Sequence, residues 1–338
     1  MRFCRILLEP LANHSSEYSK KGIRYLTGLN DFLPVLPFAR QDFVSELPLT
    51  QQGMSISGYQ PKLQLVIENG QFETIGNQGE FILKPSPEDY SFLAENEHAT
   101  MSVMQALGFN VPPNGLFAFQ SENVEFAFVI KRFDRQNGVP IHQEQLDGAM
   151  NISEKYGKIG SDNEQYVSYE RVAKFILAYT EDNLVQRQEL FRRVVYAYLL
   201  GNNDLHLRNF SLIYHKNGKI ELAPVYDFVS VVPYKAIFNS ALLALPLLER
   251  EEGGVELAHG FQTQYGEYIG QDFVEFGEKI GLNRKLIEQR LLPQLWKEQT
   301  IVESVYQRSF MPSDHKNSVL DNYRRRLKLM NVIDEPVI

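Results

Sequence analysis

Three oxygen-bearing side chains in the second half of the chain stand in an order that could move a phosphoryl group. Asp204 lies in Gly201-Asn202-Asn203-Asp204-Leu205-His206-Leu207-Arg208-Asn209-Phe210-Ser211-Leu212, and four residues separate it from Asn209. Asp227 follows 18 residues later, in Val225-Tyr226-Asp227-Phe228-Val229. An Asp can take the proton of an attacking hydroxyl and orient it. An Asn can offer a neutral carbonyl oxygen to Mg2+, and a second Asp can anchor the same ion and, through it, the β- and γ-phosphates. Mg2+ favours few hard oxygen ligands beside substrate phosphates, so two protein oxygens suffice. Singly, such residues are ordinary turn residues; their order carries the signal.

That chemistry also needs a cation and a phosphate-binding loop, and both have candidates upstream. The apolar run Phe81-Ile82-Leu83 ends in Lys84-Pro85, and a strand-end lysine can reach the α- and β-phosphates of ATP. The partner of such a lysine is a carboxylate on the next helix. Glu95 and Glu97 are both candidates and spacing does not choose between them, although Glu97 is preferred. One hairpin earlier, Gly53-Met54-Ser55-Ile56-Ser57-Gly58-Tyr59-Gln60-Pro61-Lys62 offers small residues that let backbone amides approach a phosphate. It lacks the usual Gly-x-Gly-x-x-Gly pattern, and an ordinary loop would look the same.

The elements that must position these residues can be read from periodicity. Leu63 to Ile67 and Phe81 to Leu83 are β-type runs, with the turn signal Asn69-Gly70 after the first; Phe126 to Ile130 is another. Ala94 to Leu107 fits a helix with Gly108 as its stop. After about residue 145 helical spacing takes over, in Val167 to Tyr179 and in Leu190 to Leu200. A second hairpin, Phe210 to Tyr214 and Ile220 to Ala223, turns at Asn217-Gly218, and the pattern beyond about residue 255 is mostly helical. The reading is an α+β chain with a two-lobed, protein-kinase-like fold. A β-rich N-terminal lobe spans 1–135 and a larger, mainly helical lobe spans 136–338. Strand and helix do not alternate as in a Rossmann sheet. Asp, Asn, hairpin, Asp is also the order in which protein-kinase folds build a phosphoryl-transfer site.

Composition narrows the remaining classes. With 34 Lys+Arg against 42 Asp+Glu the 338-residue chain carries a formal charge of −8, a poor basis for nonspecific nucleic-acid wrapping. The lone cysteine, Cys4, excludes an internal disulfide and points to a reducing compartment. No run approaches the length of a membrane helix, and Met1 to Pro10 reads as a first strand rather than a secretory signal; the cytoplasm is expected. The seven histidines show no zinc spacing. Arg324-Arg325-Arg326 with Lys328 reads as a helix end stabilised by cations before it reads as a DNA-facing surface. Arg132 and Asp134 are a candidate ion pair holding the lobes, and Trp296 and the aromatic stretch Phe261 to Phe276 are expected in the core.

At these residues the sequence resembles a known family. Ser55 to Lys62, Ile82-Leu83-Lys84-Pro85, Arg132-Phe133-Asp134-Arg135, Asp204 to Asn209 with Phe210-Ser211, and Tyr226-Asp227-Phe228 together resemble the HipA-like serine/threonine kinase toxins of bacteria. Within them the chain is most similar to the short HipT form of three-component systems, and the extra N-terminal subdomain of longer HipA proteins is not expected. The resemblance implies ATP and Mg2+ as cofactors and Asp204 as the catalytic Asp. It implies Lys84 as the ATP-phosphate lysine, and Asn209 and Asp227 as metal ligands. It implies a phosphate loop at Ser57, Gly58, Tyr59, Gln60, Pro61 and Lys62, and an adenine-holding linker at Lys131, Arg132 and Phe133. By the same resemblance His206, Leu207, Arg208 and Asn209, with Tyr226, Asp227, Phe228 and Val229, line the nucleotide site. Ser55 and Ser57 match autophosphorylated loop serines, where a phosphate would add roughly −1.5 to −2 charge in the place of ATP phosphates.

The implied target is an aminoacyl-tRNA synthetase, tryptophanyl-tRNA synthetase above all. The implied partners are small HipS-like and DNA-binding HipB-like antitoxins, with DNA met only through the latter. Asn203 replaces the Arg that often precedes the catalytic Asp, and Val229 replaces the Gly of Asp-Phe-Gly. Both departures speak against a phosphorylated activation loop or a flipping Asp-Phe-Gly switch. Two other readings compete: a small-molecule kinase of the aminoglycoside or choline type, and a binding-only pseudokinase. The intact Lys84, Asp204, Asn209 and Asp227 argue against the second.

Overall fold

The structure is a computed structural model. It describes residues 1–12, 16–45, 62–120, 124–136, 138–157, 167–234, 242–334 and 336–337. The chain divides into two compact units, Met1–Ile141 with Ser304–Pro312, and His142–Glu303 with Ser313–Ile338. Against the division expected at 135, residues up to 141 stay with the first unit. A short ribbon, β6 (Arg135–Gln136) with β7 (Val139–Pro140), and the Ile141 N–H donating to the Asp134 carbonyl at 2.9 Å hold them there.

The first unit is built on an antiparallel five-stranded sheet. Its strands are β1 (Leu63–Glu68), β2 (Gln71–Ile75), β3 (Phe81–Pro85), β4 (Asn114–Ala118) and β5 (Phe126–Lys131), in the order β2-β1-β3-β5-β4. β1 and β2 join through Asn69 and Gly70, both at positive φ (51° and 76°), the two-residue turn whose twist matches its strands. Leu63, Leu65, Phe72, Phe81, Leu83, Phe117 and Val129 bury one face together with Ile23 and Leu26 of α1 (Lys20–Thr27). Helix α2 (Leu93–Ala106) packs on β3, β4 and β5, and the Ser86 hydroxyl accepts from the Ala94 N–H at 2.9 Å at its start. The expected first strand does not form. Residues near Met1 make only the bridge Phe3↔Pro10, because Cys4 closes a tight turn with Leu8 and Glu9 and Leu8 sits at φ 53°.

The second unit carries helices α3 (Tyr169–Tyr179), α4 (Leu184–Leu200), α5 (Gly270–Lys279) and α7 (Ser313–Leu329), with most of α6 (Leu292–Arg308). Helix α4 starts six residues before the apolar run seen at Leu190, because the Asn183 side chain caps it by accepting from the Gln186 N–H. It ends at Gly201 in the left-handed region (φ 71°), where a Cβ would lie 2.2 Å from Val232 Cγ2. The chain leaves this cap directly into the segment containing Asp204. Beyond it, β9 (Ser211–Tyr214) and β10 (Ile220–Leu222) form the expected hairpin, and β8 (His142–Gln145) adds a third strand on its β9 side.

Candidate functional site

In the first unit, Lys84 is not the exposed strand-end lysine its position allows. It pairs across the sheet with Phe128, and its ammonium lies 5.7 Å from that ring's centre. Its Nζ donates to Glu97 Oε1 at 2.7 Å, and the two side chains are 4% and 1% exposed. Residues two apart on a helix point to different sides, so only one of the two candidate carboxylates can face β3. Glu97 does. Glu95 is also buried, near Ser86, Arg40 and Glu125, and burial above all pushes its carboxyl up to about 7.

The stretch after β5 is knitted into the same unit. Arg132 donates to both oxygens of Asp134, at 2.9 and 2.7 Å, and to Gln64 Oε1 at 3.1 Å; Arg135 reaches Asp134 Oδ2 at 2.8 Å. These contacts keep the Asp134 carboxyl below its ordinary range against the cost of its burial. The pair expected to join two lobes therefore lies wholly within the first unit. The backbone N–H groups of Lys131 and Arg132 donate to the carbonyls of Pro113 and Glu80, both at 2.8 Å. Lys62 is half-buried just before β1. Ser55, Ser57, Gly58, Tyr59, Gln60 and Pro61 lie outside the described residues.

In the second unit, Asp204, Asn209 and Asp227 come together. Asn209, buried in a short 3-10 turn (Leu207–Asn209), donates its amide to the Asp204 carbonyl at 2.8 Å and reaches toward the Asp227 carbonyl at 3.5 Å. Its amide nitrogen is thus used to tie the two acidic positions, which leaves the amide oxygen as the end able to serve a cation. Asp227 takes a positive φ of 50°, a conformation Asp tolerates better than most residues. The Asp204 side chain is 28% exposed; its N–H is fixed by Asn202 Oδ1 at 3.1 Å and one carboxylate oxygen accepts from the Tyr156 hydroxyl at 2.6 Å.

Several residues that the resemblance groups with the nucleotide also hold the loop in place. Leu207 and Phe228 are fully buried. The buried Tyr226 hydroxyl bonds Ser211 Oγ at 2.5 Å and the Arg208 carbonyl at 2.9 Å, which ties the residue before Asp227 to the turn that carries Asn209. Arg208 donates to Asp147 at 2.6 Å. His206 is buried with Nε2 3.8 Å from Asp204 Oδ1, too far for a hydrogen bond. Burial lowers its pKa against the opposing pull of Asp204 and Asp227, so the imidazole stands neutral. Val229 is half-buried. Tyr156 was missed in the sequence: it stands 48 residues before Asp204 and no spacing announces it.

The basic run is absorbed within its unit. Arg324 donates to Glu303 at 2.8 Å, Arg325 pairs with Glu267, and Arg326 donates to the Tyr198 carbonyl at 2.5 Å. Trp296, expected in the core, is half-buried and donates to Asn331 at 2.9 Å, because α6 turns it toward the polar end of the chain. Among the described residues, no group of three or more His, Cys, Asp or Glu could hold a metal by themselves. The fit to Mg2+ rests on the mixed pair of Asn209 and Asp227, which suits an ion that keeps waters and phosphates as further ligands. No described helix is long and apolar enough to cross a membrane.

A family model described as "HipA-like C-terminal domain" matches residues 54–298, the stretch that contains Lys84, Asp204, Asn209 and Asp227. The chain belongs to the HipA-like family. A Haemophilus influenzae protein described as a candidate kinase is 63% identical over 99% of both chains. A serine/threonine-protein kinase toxin HipA of Shewanella oneidensis is 27% identical over 57% of this chain and 46% of its own length. Among solved structures, HipA in the Shewanella oneidensis complex of HipA, HipB and operator DNA superposes with a TM-score of 0.64 at 24% identity. That superposition covers 82% of this chain and 66% of HipA. The Helicobacter pylori kinase CtkA superposes with a TM-score of 0.52 at 15% identity, over 84% and 92%. At such identities these likenesses speak for the mixed α/β fold alone.

Proposed function

We propose that this HipA-like chain is an ATP- and Mg2+-dependent serine/threonine protein kinase, the toxin of a three-component system of the short HipT type. The observation that carries the reading is the Asn209 amide, which ties the backbone of Asp204 and reaches that of Asp227. It sets a half-buried Asp beside a candidate pair of cation ligands, as an acceptor-orienting residue and its metal ligands require. Mg2+, when bound, neutralises phosphate oxygens and bridges them to the protein. Asn209 and Asp227 would hold it. Asp204 takes the proton of a serine hydroxyl and orients its oxygen, and Lys84, held by Glu97, supplies a cation for the ATP phosphates. His206, neutral and buried, is not the base.

In this reading the acceptor is an aminoacyl-tRNA synthetase, tryptophanyl-tRNA synthetase first, and its modification blocks translation. Ser55 and Ser57 are autophosphorylation sites that lower activity by charge repulsion. HipS-like and HipB-like antitoxins are the partners, DNA is met only through the HipB-like one, and the cytoplasm is the site of action.

The test is intact mass of the full chain before and after incubation with Mg-ATP, beside Asp204→Gln and Asp227→Gln, with any starting phosphate removed first. The wild type is expected to gain phosphoryl groups mapping to Ser55 or Ser57. Each variant is expected to be slower by about a hundredfold or more. A wild type that gains none and binds no Mg-ATP sinks the reading. A panel of synthetases, incubated separately, then identifies the acceptor.

A further inference from the structure

The backbone around Asp204 is fixed from two sides, by Asn202 at its N–H and by Asn209 at its carbonyl. Neither contact sets the rotamer of the carboxylate. The Tyr156 hydroxyl does, donating to Oδ1 at 2.6 Å. His206 Nε2, at 3.8 Å from the same oxygen, is too far to share that task. Among the described residues no side chain engages Oδ2, so one oxygen is held and the other is left for an incoming hydroxyl.

Tyr156 is itself pinned. The Leu207 N–H donates to the Lys155 carbonyl at 2.9 Å, which binds the backbone beside Tyr156 to the same loop that carries Asp204. The His206 ring meets the Tyr156 ring edge-on at 5.2 Å, and the Lys155 ammonium lies 4.7 Å from that ring's centre. Backbone, ring edge and cation converge on one orientation of the phenol.

We infer that Tyr156 is a positioning residue for phosphoryl transfer. Its hydroxyl locks one carboxylate oxygen of Asp204, so that the other meets the acceptor hydroxyl in line with the phosphorus. This inference rests on the role proposed for Asp204. Small displacements of an orienting group cost rate steeply, whereas substrate binding elsewhere is untouched. The lock therefore acts on the rate at saturation and not on ATP affinity.

The experiment measures phosphoryl incorporation into the full chain by intact mass across ATP concentrations, for the wild type, Tyr156→Phe and Asp204→Gln. Tyr156→Phe is expected to lower the saturating rate about tenfold, as loss of a hydrogen bond to a charged group implies. The ATP concentration at half-saturation and the melting temperature should stay near wild type. Replacing Tyr156 by 2-fluoro- and 3-fluorotyrosine keeps the ring in place and the phenol protonated at neutral pH while making the hydroxyl a stronger donor, and the saturating rate should change in graded order with phenol acidity. An unchanged rate in Tyr156→Phe overturns the inference. So does a faster one, which would make Tyr156 an acceptor mimic that substrate must displace. A fall accompanied by a lower melting temperature, with no graded response in the fluorinated proteins, also overturns it, since that is structural support only. If Asp204→Gln keeps full activity, the function reading fails first; if Asp204→Gln is inactive and Tyr156→Phe is not impaired, only this inference fails.

Discussion

The two compact units handle their key charges in opposite ways. In the first, Lys84 and Glu97 are taken almost completely out of water and fixed by strand and helix. In the second, Asp204 sits on a loop, more than a quarter exposed, and is steered by hydrogen bonds from neighbouring residues. A buried pair repays its desolvation only while both partners are present. A partly solvated carboxylate costs the fold less and can exchange one partner for another. The first arrangement stakes stability on its charges; in the function proposed above, the second stakes rate.

The sharpest way to break this contrast is to remove one charge from each. Lys84→Met takes the ammonium away from the buried Glu97 carboxylate and should cost about 3–5 kcal/mol of stability. The double change Lys84→Met with Glu97→Leu should return most of it. Asp204→Gln keeps an acceptor for Tyr156 and should change stability by less than about 1 kcal/mol. Urea unfolding of the three variants beside the wild type reads all of these values, and equal losses at both sites would dissolve the contrast.

A smaller effect should come from Glu95, whose carboxyl burial raises to about 7 from its ordinary 4.5. A raised carboxyl favours the fold while protonated. Its contribution is therefore full below pH about 4.5 and fades as the pH rises toward 7, by an amount of the order of 3 kcal/mol. Glu95→Gln should flatten that slope and leave the protein more stable than wild type at pH 8. Thermal melts of both proteins from pH 5 to 8 check it, and parallel profiles would show that Glu95 does not titrate with folding.

The smallest effect belongs to the scaffold before the Asp204 loop. Asn183→Ala removes the cap of α4 and should cost about 1 kcal/mol, with phosphoryl transfer unchanged. A change in rate instead would mean that α4 transmits its start to its far end at Gly201.

What could be read from the sequence follows from what each residue's partners are. That Asp204, Asn209 and Asp227 come together was legible because their spacing is set by local chain geometry: a helix end, a turn and a hairpin. The hairpin itself was legible from Asn217-Gly218 between two apolar runs, and Gly218 does take a positive φ of 84°. The choice between Glu95 and Glu97 was not legible. It depends on how α2 is rotated against β3, and that is decided by packing along the whole helix. Strand β8 was hidden because His142-Gln143-Glu144-Gln145 has no apolar alternation; it is recruited by its ladder with β9. The turn at Cys4 defeated the expected first strand for a related reason, since an apolar run of that length suits either. Tyr156 was invisible because only the folded chain brings it to Asp204.

The membership of Ser304–Pro312 in the first unit bears on how the protein is made. Tyr306 shares a hydrogen bond with Thr100, 206 residues earlier, and Phe310 packs its ring against Phe126. A ribosome that has finished Ile141 has therefore not finished that unit, and must add the rest of the chain up to Pro312. At about 5–20 residues per second that is a wait of roughly ten to thirty seconds. During this interval Lys84 lacks the completed unit that surrounds it. A nascent chain of this kind completes the unit around Lys84 only once Pro312 has been added, long after the strands of its sheet have been made.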